Sequence, residues 1–288
     1  MSSFDPQFAY NVLLPLAEDA YLADHTSSQF QLPAGYSVIG QIMIDPPTLV
    51  AMIAKASIKN QAFLAKVQAA GNSFGWVLQN QAAKTAVVTF RGTADLHDWL
   101  DDFDFLPEPY VPVATYGTVH QGFQSVYLSI AASVKGLLKT ANFNFSRLIL
   151  TGHSLGAALS ELAAPDILVN SGFGIAPEVQ NFAGPRAGHA DFANVFDVRI
   201  DACFRVVNIW DIVPHVPPPL ALFEHVGMAV KVDGGFTLDE LVAHSLAQSY
   251  GPGLQKLIPV AGAAARTIMA PNTATAGFPN QILVGREP

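Results

Sequence analysis

Arg147-Leu148-Ile149-Leu150-Thr151-Gly152-His153-Ser154-Leu155-Gly156-Ala157-Ala158-Leu159-Ser160 is the stretch that decides the fold. An apolar run, Arg147 to Leu150, leads straight into Gly152-His153-Ser154-Leu155-Gly156, and an apolar helix pattern follows from Leu155 to Val169. That is a strand, a tight turn and a helix. Glycines on either side of Ser154 remove the side chains that would clash in such a turn, and Ala157 and Ala158 let the helix pack closely. The bland alternative is a serine that merely caps a helix.

Working outward, short β-rich runs alternate with helical patterns. Phe74 to Gln79 and Thr85 to Phe90 read as a hairpin. Val119 to Leu138 reads as a helix, Val179 to Phe182 and Phe204 to Ile209 as strands with a helix from Ala190 to Val198 between them, and Val226 to Val232 as a last strand. The ends are expected to be helical: Pro6 to Leu22, Pro46-Pro47 to about Ala70, and Leu238 to Tyr250. Gly251 to Pro288 carries no readable pattern. Strands alternating with helices predict an α/β fold, a mostly parallel central sheet flanked by helices. With no Gly/Ser linker and no repeat, residues 1–288 read as one domain.

A serine hydroxyl is a weak nucleophile at neutral pH, so Ser154 needs a base and a carboxylate to orient that base. On this motif the acid and then the histidine follow the serine in the chain. Asp211 lies just past the apolar run Val206 to Trp210, where functional residues of parallel sheets gather. Asp201 precedes its strand and sits at the wrong end. For the base, placement favours His244, with His225 and His215 as alternatives.

Composition closes other routes. The chain has 288 residues, 15 basic and 23 acidic, a net charge of −8 and no Lys/Arg run, so nothing marks a nucleic-acid or polybasic membrane contact. No apolar run reaches the roughly 20 residues that span a bilayer. A single cysteine, Cys203, excludes an intrachain disulfide and a cysteine zinc cluster, and reads as a buried thiol. The acidic residues lack EF-hand spacing. No metal and no cofactor is expected. Met1 to Leu22 lacks a signal-peptide pattern, which leaves localisation open between cytoplasmic, signal-independent export and secretion of a trimmed chain. Mean hydropathy is +0.30, high enough that some exposed apolar surface needs a purpose.

Several motifs, in order from Phe74 to Leu254, resemble the class 3 lipases, the fungal-lipase-like branch of the α/β-hydrolases. They are Phe90-Arg91-Gly92-Thr93, Asp98-Trp99-Leu100-Asp101-Asp102, Val119-His120-Gln121-Gly122-Phe123, Thr151 to Ser160, Phe182-Ala183-Gly184-Pro185-Arg186-Ala187-Gly188, Asp211-Ile212-Val213-Pro214, and His244-Ser245-Leu246 with Tyr250. The resemblance implies the α/β-hydrolase fold and a triad of Ser154 as nucleophile, Asp211 as orienting acid and His244 as base. It also implies an oxyanion hole from Thr93 and the N–H of Leu155. His120, His153, His225, Arg91, Arg186 and Asp102 fall on structural positions.

The family's lid would occupy about 94–106. There Leu96, Trp99, Leu100 and Phe103 recur at helical spacing with acids opposite, which suits either a lid over the site or an ordinary surface helix. The implied activity is ester hydrolysis through an acyl-enzyme, most simply on triacylglycerol at an oil–water interface. Feruloyl esterase and phospholipase A1 activities are alternatives, and a silent lipid-binding module is a more distant one. Missing disulfides and signal peptide point to a bacterial-type or intracellular member. Oligomeric state is not legible.

Overall fold

The computed structural model describes residues 3–22, 26, 28–93, 104–141, 145–259 and 284–285. Its main sheet has eight strands: β1 (Ser37–Met43), β2 (Ser73–Asn80), β3 (Thr85–Phe90), β4 (Arg147–Gly152), β5 (Glu178–Phe182), β6 (Cys203–Asn208), β7 (Met228–Val232) and β8 (Val284–Gly285). They lie side by side in chain order. From β3 to β7 every pairing is parallel, while β1, β2 and β8 join antiparallel at the two sides. Four short segments, Pro107–Pro109, Thr118–His120, Gly188–His189 and Phe223–Glu224, form a separate antiparallel sheet.

Near-continuous apolar strands are what a sheet covered on both faces requires. Alternate side chains sort into two cores. Val77, Val88, Leu148 and Leu150 face one cluster with Phe123, Val126, Leu155 and Leu159. Leu78, Val87, Ile149, Phe182 and Val206 face the other, with Leu13, Leu16, Tyr250 and Leu254. Each such side chain contributes about 1.5–3 kcal/mol when fully buried. The first face is covered by α1 (Pro46–Ile53), α2 (Ile58–Ala69), α3 (Gln121–Thr140) and α4 (Leu155–Asn170), the second by the N-terminal and C-terminal helical segments.

The N-terminal helical run, residues 6–19, starts where Asp5 accepts the N–H groups of Gln7 and Phe8. Two long-range hydrogen bonds pin it to the sheet: Thr89 Oγ1 donates to Leu16 O at 2.9 Å, and Trp76 Nε1 donates to Asp19 O at 3.2 Å.

Two expectations need correction, and one strand is unforeseen. The helix expected from Pro46 to Ala70 is two helices, because Ser57 caps a fresh start by accepting the Asn60 N–H. Leu238 to Tyr250 is likewise broken: α5 (Glu240–His244) ends at Ser245, whose extended backbone and Oγ cap the next turn at Gln248. Strand β1 had no counterpart in the sequence reading; its mixed burial hides the alternation. The hairpin β2–β3 and the strand–turn–helix of β4, Ser154 and α4 stand as expected. Among the described residues no helix is long and apolar enough to cross a membrane. Of the lid expected at 94–106, residues 94–103, including Leu96, Trp99, Leu100, Phe103 and Asp102, lie outside the described residues.

Candidate active site

Ser154 sits between β4 and α4 with φ 59° and ψ −125°, a left-handed backbone that costs a non-glycine residue of order 1–3 kcal/mol. The surroundings hold it there. Ser154 N–H donates to Phe182 O at 3.0 Å, tying the turn to the end of β5. A Cβ on Gly156 would run into the Phe90 carbonyl oxygen, and one on Gly152 into the Gly156 carbonyl, so the flanking glycines are steric requirements. Gly92 is the third close approach: a Cβ there would lie 2.8 Å from His153 O and 3.1 Å from Ser154 Cβ. The strand leaving β3 therefore passes directly against the serine turn before reaching Thr93.

Asp211 follows β6 by three residues and is 2% exposed. It accepts three hydrogen bonds: from His244 Nδ1 to Oδ2 at 2.8 Å, from Tyr250 O–H to Oδ2 at 2.6 Å, and from Val213 N–H to Oδ1 at 3.0 Å. Burial pushes its carboxyl up, but the donors and the His244 ring outweigh that and hold it below the ordinary carboxylate range. A carboxylate at Nδ1 fixes the tautomer: in neutral His244 the proton sits on Nδ1 and Nε2 keeps its lone pair. His244 Nε2 is buried and has no hydrogen-bond partner among the described residues. The Ser154 hydroxyl makes no side-chain hydrogen bond to it, a looseness common in unliganded sites.

His153 joins the groups together. Its ring lies 4.4 Å from that of His244, centroid to centroid. Its Nε2 is 2.8 Å from His244 O, and its Nδ1 is 2.8 Å from Tyr21 O–H. A carbonyl only accepts, so Nε2 donates and Nδ1 accepts from Tyr21. Burial, and then the nearby His244, hold the His153 pKa down to about 3, so it stays neutral. His153 and Tyr21 thus carry the backbone of His244, and Tyr21 is a member that sequence reasoning did not find.

A cavity of about 430 Å³ opens beside these groups, lined among others by Glu18, Tyr21, Thr93, His153, Leu241 and His244. Thr93 Oγ1 is buried and has no hydrogen-bond partner among the described residues. Leu155 is the first residue of α4, so its N–H lies ahead of the intrahelical hydrogen-bond ladder. An N–H at a helix N-terminus and a nearby hydroxyl form a setting that favours developing negative charge.

The other sequence candidates go elsewhere. His225 Nε2 donates to Pro214 O at 2.7 Å, His215 is exposed, and His189 belongs to the small sheet. His120 caps α3 by accepting the Phe123 N–H. Arg91 Nε donates to Ser73 O, and Arg186 Nη1 to His215 O and Pro217 O. Cys203 is buried. The geometry thus separates His244 from its two alternatives by its bond to Asp211.

Large apolar side chains are exposed in the segments after β6 and β7: Ile209, Trp210, Ile212, Phe236, Leu238 and Leu241. Trp210 packs edge-on against Phe236 at 4.9 Å. Parallel strands end on one side, so these residues share the sheet edge that carries Ser154 and Asp211.

Comparison with known proteins gives a consistent picture. Residues 87–221 match the family model described as lipase (class 3). The chain is 34% identical over 163 residues to secreted mono- and diacylglycerol lipase 1 of Fusarium solani, covering 56% of this chain and 47% of that protein. It is 32% identical over 184 residues to phospholipase A1-II 7 of Oryza sativa subsp. indica, covering 51% and 43%. The chain therefore spans about half the length of these curated relatives. Lipase II from Rhizopus niveus shares the fold with a TM-score of 0.62 at 23% identity, over 84% of this chain and 91% of that one. The fold is that of the α/β-hydrolases. These are fungal and plant proteins, so the expectation of a bacterial-type member is not borne out.

Proposed function

We propose that the chain, whose residues 87–221 match the class 3 lipase model, is a serine hydrolase of lipid esters, a triacylglycerol lipase acting at an oil–water interface. The observation that carries this reading is the Asp211–His244 pair, with an unpartnered Nε2 at a cavity beside the Ser154 turn.

In this mechanism His244 Nε2 takes the Ser154 proton as Oγ attacks the ester carbonyl. The oxyanion is held by the Leu155 N–H and by Thr93. Collapse expels the alcohol, which takes the proton back from His244 and leaves an acyl-serine. Water, deprotonated by the same nitrogen, then releases the acid. Asp211 keeps the imidazole oriented and stabilises it while it is protonated. Oxyanion donors of this kind contribute about 100- to 1,000-fold in rate each. The described chain reads as one catalytic unit, since Tyr21 on one side and Tyr250 on the other both reach the site.

The interface part of the proposal is supported by the apolar side chains exposed on the same sheet edge. Such a surface is costly in water and stabilised against oil. A phospholipase A1 reading is favoured by one observation, the likeness to the rice protein. The experiment is hydrolysis of p-nitrophenyl esters from C2 to C16, with and without an emulsified interface, with Ser154→Ala as control. Activity that rises with chain length and interface, and is lost in the variant, supports the lipase. Activity on short soluble esters alone leaves the triad and removes the interface. Wild-type activity equal to that of Ser154→Ala overturns the reading.

A further inference from the structure

We propose that Glu18 sets the charge selectivity of this site: its carboxylate at the cavity favours uncharged esters and rejects esters that carry an anionic group. The inference rests on the reading of the cavity as the site of an ester hydrolase.

Glu18 comes from the N-terminal helical run, before the residues that match the family model, yet it lines the same cavity as Thr93 and His244. Its position is fixed. Leu16 and Asp19 on either side are bonded through their carbonyls to Thr89 and Trp76, and Tyr21 is bonded to His153. Neighbouring Asp19 is fully engaged, with both carboxylate oxygens accepting the Gln31 N–H at 3.0 Å. The Glu18 carbonyl accepts the Tyr21 N–H at 3.1 Å, while its carboxylate makes no hydrogen bond or ion pair among the described residues.

The rest of the wall does not neutralise it. Among the described lining residues there is no Lys or Arg, and Glu18 is the only carboxylate. His153 is held neutral by burial, and the Tyr21 proton is committed to His153. Leu241 and Leu246 add apolar lining to the same cavity. An unpaired carboxylate in such a cleft acts at short range and with little screening. It repels a phosphate or carboxylate on the bound ester, and a neutral glyceride escapes that repulsion.

The test uses two soluble esters with one acyl chain, glycerol monobutyrate and the butyryl ester of glycerol 3-phosphate, both below aggregation. Wild type should prefer the uncharged ester. Glu18→Gln, which keeps the shape and removes the charge, should raise kcat/KM on the phosphate ester about tenfold, mostly through KM, and so narrow the preference. Glu18→Gln changing both esters by one common factor, or leaving their ratio within about twofold, overturns the proposal while the hydrolase stands. Hydrolysis of neither ester, with no labelling of Ser154 by a phosphonate, overturns the hydrolase reading and this inference with it.

Discussion

Replacing Asp211 with Asn keeps the shape of the side chain and makes the three hydrogen bonds around it mutually incompatible. The carboxylate accepts at both oxygens: His244 and Tyr250 share Oδ2, and Val213 N–H holds Oδ1. An amide offers one acceptor and one donor. With its oxygen toward His244 and Tyr250, its NH₂ faces the Val213 N–H, and one buried donor loses its partner at about 1–3 kcal/mol. Turned the other way, the NH₂ faces His244 Nδ1, the ring proton moves to Nε2, and the nitrogen that should accept the Ser154 proton is already occupied. In the first orientation the charge that stabilises protonated His244 from 2.8 Å is still gone. Both outcomes raise the barrier. The expected loss in kcat is about four orders of magnitude, the scale that the wrong imidazole tautomer costs in serine proteases. The assay is hydrolysis of p-nitrophenyl butyrate, with circular dichroism and urea unfolding to confirm that the variant folds, at a stability about 1–3 kcal/mol below wild type. A folded Asp211→Asn enzyme that keeps more than about a tenth of wild-type kcat would refute the reasoning.

Other perturbations test the scaffold. Burial holds the Glu161 carboxyl up to about 8, so the folded protein retains a proton that the unfolded chain sheds above the ordinary value of 4.5. Stability should therefore fall as pH rises between those values, by at most about 1.4 kcal/mol per unit, and Glu161→Gln should flatten the slope and be the more stable protein at pH 8. Urea titrations at pH 5.5 and 8 check this; a variant less stable at pH 8 would mean that Arg205 holds Glu161 ionised. Gly156→Ala forces a methyl group against the Phe90 carbonyl, so stability should drop by about 1–3 kcal/mol and phosphonate labelling of Ser154 should slow; an unchanged Tm with unchanged labelling contradicts the packing argument. Tyr21→Phe strands the acceptor at His153 Nδ1, and thermal unfolding should register a loss of about 1–3 kcal/mol, with none if water enters to replace the hydroxyl.

What the sequence discloses here depends on how local the cause is. The turn at Ser154 is legible because its requirements sit within five residues: glycine, serine, glycine, a strand before and a helix after. Asp211 is legible from its place past a strand. His244 could only be ranked, since its bond to Asp211 joins residues 33 apart that lie on different elements. Tyr21 and its bond to His153, 132 residues away, left no local mark, and neither did the cavity position of Glu18. The helix break at Ser57 is written in ordinary helix-forming neighbours, Ala54, Lys55 and Ala56, so the single cap was outvoted by the pattern around it. Strand β1 is half-buried along most of its length, and the alternation that would announce it is weak.

The main sheet adds its strands in the order in which the chain contains them. On a ribosome, that order becomes a timetable. Each strand emerging from the exit tunnel meets an edge already laid down by the one before it, so the sheet can grow without waiting for a distant partner. The serine turn forms early in this schedule, the carboxylate arrives with a later strand, and His244, behind the seventh, comes last. A chain that has emerged only through β4 and α4 therefore holds the strained serine turn with no base to act on it. The same geometry that assembles the site leaves it incomplete until the residues beyond β7 have emerged.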